Sequence, residues 1–330
     1  RSLAAIATNA AQSAQQICLV GIVFYGVFLV GDGTVSMGAM VAAVLLSSRT
    51  LAPLAQMANL FGRFNNAKTS YQRLAAFMEE TKEAAEAQQS TSVIRRPSIG
   101  DLEFRSVNFR YTGQEVDTLV GVNLKIQKGE KVAILGRNGS GKTTLIKLSS
   151  GLFGSTDGIV TYDGVDTKQI HNDDLSRSIG IVLQDVQLFS GSVIENITMG
   201  REGITQEDIV AAAKVSGLDE FLGKMPGGYE LVLQDKGNGL SGGQRQAIAI
   251  TRALVHKPSH FILDEPTSAM DMNAEQLFIK NFKEIYSDST LIVVSHRMPL
   301  VNLVDRIIVM NEGKIIEDGM RDEILKKLQG

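Results

Sequence analysis

The sequence predicts an α/β domain with a mixed sheet, preceded by a pair of long apolar α-helices. Residues 1–62 carry only three charged side chains, whereas the rest of the chain is charged like an ordinary globular domain. Residues 131–135, 261–264 and 291–294 are short and mostly apolar, which is typical of strands buried on both faces of a parallel sheet. Residues 102–111 and 122–126 instead alternate apolar and polar side chains, which indicates antiparallel strands with one exposed face.

The composition limits the possible function classes. A chain of 330 residues with 44 % hydrophobic side chains is long enough for about two domains. Its formal net charge of −3 provides no global basic field, so we expect no nucleic-acid partner. Cys18 is the single cysteine, and no Cys/His cluster has the spacing of zinc ligands. Disulfide, redox and zinc chemistry are therefore not expected.

Two apolar stretches open the chain. Residues 17–30 read ICLVGIVFYGVFLV, and the charge-free stretch extends back to Leu3, which exceeds the roughly 20 residues that a membrane-spanning helix needs. A second stretch, residues 35–62, follows the turn at residues 31–33 and contains one charged residue, Arg49. We therefore predict two membrane helices. A cleaved signal peptide and a buried hairpin of a soluble protein are the alternatives.

Basic residues follow the second apolar stretch. Arg63, Lys68 and Arg73 lie close behind it, and by the positive-inside rule the C-terminal part of the chain faces the cytoplasm. Two helices cannot enclose a translocation pathway, and the chain opens with Arg1 rather than Met. We therefore expect a fragment that begins inside a larger membrane domain.

A polar segment separates the apolar region from the α/β domain. Residues 69–89 are rich in Ala and Glu and have high helix propensity, which predicts that the second helix continues into the cytoplasm. We assign residues 1–89 to the C-terminal part of a membrane domain, residues 90–100 to a linker and residues 101–330 to the α/β domain.

The α/β domain begins with an antiparallel pair. Val122, Leu124 and Ile126 alternate with polar residues. Residues 102–111 alternate in the same way, with a phase slip near Ser106 that predicts a β-bulge.

A glycine-rich loop follows the strand at residues 131–135. Its glycines allow backbone N–H groups to surround an anion, and a helix that starts near Lys142 adds its positive N-terminal dipole. The pattern is a complete phosphate loop, in which Lys142 reaches the β- and γ-phosphates and Thr143 offers a hydroxyl to Mg²⁺. The predicted phosphate-binding residues are Gly136, Arg137, Asn138, Gly139, Ser140, Gly141, Lys142, Thr143 and Thr144.

Two further strands end in polar residues. The apolar run at residues 261–263 is followed by two adjacent acids, Asp264 and Glu265. Neighbouring side chains diverge on a strand, so the two carboxylates serve different purposes. We predict that Asp264 joins the Mg²⁺ shell and that Glu265 polarises an attacking water as general base, the alternative being a structural acid pair. Residues 291–296 end at His296, a candidate contact for a γ-phosphate. Three other histidines, His171, His256 and His260, have no such context and are interpreted as surface or structural residues.

A second helix N-terminus that could bind an anion lies about a hundred residues after the one at Lys142. Small residues with free N–H groups precede a helix at residues 245–254, although a plain helix cap explains them equally well. Two such helix starts in one domain require a joint explanation. The segment consists of Leu240, Ser241, Gly242, Gly243 and Gln244.

At these residues the chain closely resembles the ATP-binding cassette (ABC) family, and the resemblance covers residues 101–328. It implies a P-loop nucleotide-binding fold with a helical subdomain that carries the signature LSGGQ at residues 240–244. It further implies that Gln184 is the Q-loop glutamine that touches Mg²⁺ and the attacking water. Residues 268–271, which end at Asp271, match the D-loop, and His296 matches the switch histidine.

The resemblance also assigns the remaining contacts. It implies that Tyr111 stacks on adenine, although a lone tyrosine on a strand is more often a packing residue. It implies ATP and Mg²⁺ as cofactors and a head-to-tail homodimer in which the signature acts in trans. The chain departs from the usual exporter pattern at Gln234, Asp235 and Asn238, where a Gly-Glu pair and a basic residue are common. Because this loop senses the membrane domain in the family, the departure concerns either the coupling to that domain or the substrate class.

The order of membrane segment before nucleotide domain resembles ABC exporters, most closely the transporters of type I protein secretion. This resemblance implies a multi-pass protein of the bacterial inner membrane that exports a polypeptide. Its expected partners are membrane lipid, a periplasmic adaptor and an outer-membrane channel. The alternatives are a lipid or drug ABC exporter and, from another class, a soluble ABC ATPase outside transport.

Overall fold

The computed structural model describes residues 2–90, 94–95 and 98–329. The chain divides into two compact units, Arg1–Ala87 and Gln88–Gly330. Residues 91–93 and 96–97 of the predicted linker lie outside the described residues.

The first unit consists of two long helices, α1 (Ser2–Gly31) and α2 (Met37–Ser90). They coincide with the two apolar stretches, and the polar segment at residues 69–89 continues α2 without a break. Gly26 permits close packing, because a Cβ atom there would lie 2.8 Å from the Cγ atom of Met40. Among the described residues, none of the helices combines the length and the hydropathy that a membrane crossing requires.

The second unit contains twelve described strands in three sheets. The largest sheet has the order β12-β11-β3-β10-β9-β6 and is parallel except for β12. A four-stranded sheet has the order β2-β1-β4-β5, and β7 pairs with β8. The strands are β1 (Leu102–Phe109), β2 (Leu119–Ile126), β3 (Lys131–Gly136), β4 (Asp157–Tyr162), β5 (Val165–Asp166), β6 (Ile179–Val182), β7 (Gly191–Ser192), β8 (Val232–Leu233), β9 (His260–Asp264), β10 (Thr290–Val294), β11 (Arg306–Asn311) and β12 (Lys314–Met320).

Nine described α-helices accompany these strands. They are α3 (Lys142–Ser149), α4 (Asn172–Ser178), α5 (Val193–Thr198), α6 (Gln206–Ser216), α7 (Leu218–Leu222), α8 (Gly242–Leu254), α9 (Met272–Ile285), α10 (Met298–Val301) and α11 (Arg321–Gln329). Helices α5 to α8 follow one another between β7 and β9 and form the predicted helical subdomain, with α6 packed on α8.

The parallel sheet has a buried core on each face. Along β9, Phe261 and Leu263 belong to one hydrophobic cluster, and Ile262 between them belongs to the other. A strand covered on both faces needs apolar side chains at every position, which explains the uninterrupted apolar runs of the sequence.

The antiparallel sheet agrees with the predicted alternation. Val122, Leu124 and Ile126 are buried on β2, and β1 pairs with β2 antiparallel. The register shifts between Phe104 and Val107, and Ser106 between them has a φ of +47°, so the predicted β-bulge is present. The predicted α/β class with a mixed sheet and an antiparallel subdomain is confirmed.

His171, His256 and His260, which the sequence gives no catalytic role, lie where they support the fold. His171 caps α4 by accepting a hydrogen bond from the backbone N–H of Asp173. His260 is buried and donates from Nε2 to the carbonyl oxygen of Gly100, 2.8 Å away. Burial lowers the pKa of both His256 and His260 to about 4, so these two imidazoles are neutral at pH 7.

Candidate functional site

The phosphate loop lies at the carboxyl edge of the parallel sheet, between β3 and α3. Gly136 has a φ of +150°, and a Cβ atom there would collide with the carbonyl oxygen of Met310. Gly139 and Gly141 have φ values of +81° and +98°, a backbone conformation that glycine adopts at little cost. The loop therefore depends on its three glycines, as the sequence predicts.

Lys142 occupies the first position of α3 and is buried against the loop. Its Nζ atom donates to the carbonyl oxygens of Gly136 at 2.7 Å and Arg137 at 2.9 Å. Burial lowers the pKa of the Lys142 ammonium, and the charges of Asp264 and Glu265 oppose this shift. The Lys142 ammonium is thus held inside the loop, where it could bind an anion.

Thr143 and Asp264 meet although they are 121 positions apart in the sequence. The Thr143 hydroxyl donates to Oδ2 of Asp264 at 2.7 Å. Asp264 is only 1 % exposed, and burial raises its pKa, while the Thr143 hydrogen bond and the Lys142 charge oppose the rise. Two oxygen ligands side by side fit Mg²⁺, which prefers hard oxygen donors and is usually completed by phosphate and water.

Two more predicted residues lie on the same cleft. Gln184 follows β6, and its exposed side chain lines the cleft together with Thr143 and Asp264. An amide oxygen is a suitable third ligand for Mg²⁺. Among the described residues, no group of three or more His, Cys, Asp or Glu side chains gathers as a metal site. The predicted ligand set contains one carboxylate and does not depend on such a group.

Glu265 has a strained backbone. Its φ is +49°, and its N–H donates to the carbonyl oxygen of Val294 at 2.8 Å. His296, after the neighbouring strand β10, lines the same cleft, as does Asn138 of the loop. Because β3, β10, β9 and β6 are adjacent parallel strands, their carboxyl ends bring these side chains to one edge of the sheet.

Tyr111 lies two residues beyond the end of β1 rather than on a strand. Its ring packs edge to face with Phe109 at 4.9 Å and Phe153 at 5.7 Å between centroids. Its hydroxyl lies 3.1 Å from the hydroxyl of Thr144, and the Lys147 ammonium lies 6.0 Å from its ring centroid. The half-buried ring is thus fixed beside the phosphate loop, and its stacking on adenine stays a prediction.

The signature begins α8 with a capping box. The Ser241 hydroxyl accepts from the Gln244 N–H at 3.2 Å, and Oε1 of Gln244 accepts from the Ser241 N–H at 2.7 Å. Cβ atoms at Gly242 and Gly243 would lie 2.9 Å and 3.0 Å from atoms of Ala269. The helix-cap interpretation therefore holds, and both glycines are also needed for close packing on the D-loop.

The signature does not face the phosphate loop of its own chain. Ser241, Gly243 and Gln244 line a second cleft together with Asp271 and neighbouring residues, none of which lines the first cleft. Asp271 caps α9 by accepting from the Ala274 N–H at 2.9 Å. We call the two the phosphate-loop cleft (lined by Asn138, Gly139, Gly141, Lys142, Thr143, Gln184, Asp264, Glu265 and His296, among others) and the signature cleft (lined by Ser241, Gly243, Gln244 and Asp271, among others).

Comparison with known proteins identifies this domain. Residues 119–268 match the family model for the ABC transporter. This part of the chain belongs to the ABC transporter family. The protein therefore contains an ATP-binding domain of the ABC type, as the motifs predict.

Relatives extend the similarity to the whole chain. It is 38 % identical over 329 residues to the toxin RTX-I translocation ATP-binding protein of Actinobacillus pleuropneumoniae, and 38 % identical over 328 residues to the leukotoxin translocation ATP-binding protein LktB of Mannheimia glucosida. The match covers 100 % and 99 % of this chain but 46 % of each relative, so the chain spans about half their length. A solved structure of a bacterial Atm1-family ABC exporter with ATP bound superposes with a TM-score of 0.67 at 26 % identity, covering 97 % of this chain and 56 % of that one.

Sequence reasoning missed two residues that support the loops after β9 and β10. Gln246 is buried in α8 and bonds to the backbone around Glu265. Arg297 forms a 3.1 Å ion pair with the buried Glu275 of α9. A signal existed for Gln246, because a polar side chain on the apolar stripe with Ala249 is exceptional for an amphipathic helix.

Proposed function

We propose that this chain is part of a bacterial exporter whose ABC domain hydrolyses ATP as a head-to-tail homodimer. The observation that carries the proposal is the phosphate-loop cleft. At one edge of the sheet, this cleft brings together the buried Lys142, the hydrogen-bonded pair of Thr143 and Asp264, and a second acid, Glu265. A bound nucleoside triphosphate and its cation need these groups.

Binding requires this chain's own residues to replace the hydration of the phosphates. Backbone N–H groups at residues 136–144 and the positive end of α3 favour negative charge, and Lys142 contributes a cation. Tyr111 offers a ring face for adenine. Thr143, Asp264 and Gln184 would hold Mg²⁺, which would neutralise part of the phosphate charge.

Hydrolysis requires a base and a group that senses the γ-phosphate. Glu265 is the general base, because it follows the Mg²⁺ ligand Asp264 directly and lines the same cleft. His296 and Gln184 border the cleft from the neighbouring strands and orient the attacking water and the γ-phosphate.

The second half of each ATP site comes from a partner copy. Ser241 and Asp271 line a different cleft from Lys142, so one chain does not close over its own phosphate loop. In a head-to-tail dimer, the signature of each chain covers the γ-phosphate held by the other. Closure replaces water with preorganised dipoles.

The transported substrate is a polypeptide. Support comes from the relatives, whose names describe toxin and leukotoxin translocation. We place the protein in the bacterial inner membrane as a multi-pass chain, with membrane lipid around residues 1–62 and a periplasmic adaptor and outer-membrane channel as partners. Arg49 then faces the interior of the membrane domain, since an unpaired charge in lipid costs at least a few kcal/mol. A lipid or drug exporter would share every ATP-site motif.

A mixed dimer tests the proposal within the full-length transporter. Lys142→Ala inactivates the phosphate loop, and Ser241→Arg inactivates the signature. Each variant alone should be inactive, whereas a mixture should regain ATP hydrolysis through one intact loop and one intact signature. Lack of recovery in demonstrated heterodimers would exclude the in-trans role of Ser241.

A further inference from the structure

Gln246 connects the signature helix to the catalytic loops of its own chain. It lies on α8 five positions after Ser241 and is only 5 % exposed. Its Nε2 donates to the Glu265 carbonyl oxygen at 3.1 Å and to the Ser268 hydroxyl at 2.7 Å. Its Oε1 accepts from the Ala269 N–H at 2.9 Å.

The orientation of this amide is fixed by its partners. The Glu265 carbonyl can only accept a hydrogen bond, and the Ala269 N–H can only donate one. The Gln246 side chain must therefore present its nitrogen to residue 265 and its oxygen to residue 269. No other uncharged side chain of this length offers a donor and an acceptor together.

The bond to Glu265 reaches a backbone under strain. A non-glycine residue in the left-handed region costs about 1 kcal/mol or more and persists only where neighbouring contacts hold it. Three described contacts do so here, namely the Glu265 N–H to Val294, the Ser268 N–H to the Glu265 carbonyl at 3.2 Å, and the Gln246 amide. Gln246 is the only one of the three that comes from the signature helix.

We propose that Gln246 is a positioning residue that sets the Glu265 carboxylate of its own chain. This inference rests on the proposed function, in which Glu265 is the general base. In the dimer, α8 begins at the signature that covers the partner's ATP. Gln246 therefore connects two ATP sites. It lies on α8, which completes the partner's site, and it bonds to Glu265, the base of its own chain's site.

A double-mutant cycle tests the link to Glu265 in the full-length protein. Gln246→Glu keeps the shape but removes both amide N–H donors, so turnover should fall by about 10- to 100-fold while nucleotide affinity stays within about twofold. In a Glu265→Gln background, the same change should lower turnover by less than about twofold, because the base it positions is already absent. Gln206→Glu, on the exposed first turn of α6, is the matched control and should leave turnover unchanged.

Mixed dimers separate positioning in cis from a general effect on the signature. In a Ser241→Arg/Lys142→Ala dimer, the working site uses the phosphate loop and Glu265 of the Ser241→Arg chain. Adding Gln246→Glu to that chain should abolish most of the recovered turnover. Adding it to the Lys142→Ala chain should have little effect.

The outcomes distinguish this inference from the proposed function. Normal turnover of Glu265→Gln, or inactive heterodimers before any change at position 246, would overturn the proposed function. If those controls behave as expected, additive losses in the cycle, or a loss that follows the signature-donating chain, would overturn the role of Gln246 alone.

Discussion

The phosphate-loop cleft and the signature cleft differ in how their polar groups are satisfied. In the first, Lys142 and Asp264 are charged groups whose burial shifts both pKa values towards the neutral forms. The buried Ser140 hydroxyl has no hydrogen-bond partner among the described residues. In the second, Ser241 and Gln244 satisfy each other in a capping box, and Asp271 caps a helix.

This difference assigns different roles to the two clefts. Desolvated charges cost free energy until an oppositely charged ligand compensates them, so the phosphate-loop cleft should gain stability from its ligand. In the signature cleft, Ser241, Gln244 and Asp271 already have hydrogen-bond partners, so this cleft offers the fixed dipoles of a capped helix start rather than a buried cation. Substitutions at four positions test this contrast.

Glu265→Gln should produce the largest effect. Removal of a positioned proton acceptor typically lowers a rate by about 10² to 10⁴-fold, and the neutral isostere should leave ATP binding largely intact. Steady-state ATPase rates and nucleotide binding measure the two parts separately. Glu284→Gln, an exposed substitution on α9, is the control. Near-normal turnover of Glu265→Gln would remove Glu265 from its assigned role.

Lys142→Met should remove the stabilisation that ATP confers. A ligand at 100 times its Kd stabilises a protein by about 2.7 kcal/mol, and thermal unfolding with and without Mg-ATP measures this gain. We expect the gain to persist in the exposed control Lys280→Met. An undiminished ATP-dependent rise in Tm for Lys142→Met would contradict the role of the buried cation.

Ser241→Ala should act on the fold instead. Loss of the helix cap should lower the free energy of unfolding by about 1 kcal/mol, with little change in ATP affinity of the phosphate loop. Ser241→Asp keeps a capping oxygen but adds a negative charge, so it should be stable and yet deficient in hydrolysis. Chemical denaturation and ATPase assays distinguish the pair, and an ATPase-active Ser241→Asp would argue against closure over a phosphate.

Tyr111→Ala should have the smallest effect. Loss of ring stacking should weaken ATP and GTP binding to a similar extent, on the order of 1 kcal/mol, because stacking does not read the hydrogen-bond pattern of the base. Tyr111→Phe loses only the contact with the Thr144 hydroxyl and should bind like the parent. If Tyr111→Phe were the weaker binder of the two, the hydroxyl rather than the ring would be the functional group.

The sequence was sufficient for local features and insufficient for contacts between distant loops. The strand before Gly136, the helix at Lys142 and the bulge at Ser106 follow from apolar runs, glycine spacing and a change of phase. The Gln246 amide network is different, because it depends on how α8 packs against residues some 20 positions away. The left-handed backbone conformation of Glu265 could not be predicted from the sequence either, because glutamate has no intrinsic preference for a positive φ.

The close packing of the signature glycines on Ala269 has a genetic consequence. A side chain at Gly242 would displace the D-loop of its own chain and, in the proposed dimer, would also intrude on the ATP of the partner. One altered chain would then damage both ATP sites, and in a cell that makes both versions such an allele should be dominant over the normal one. A chain altered only in its Lys142 side chain should leave the opposite ATP site structurally complete.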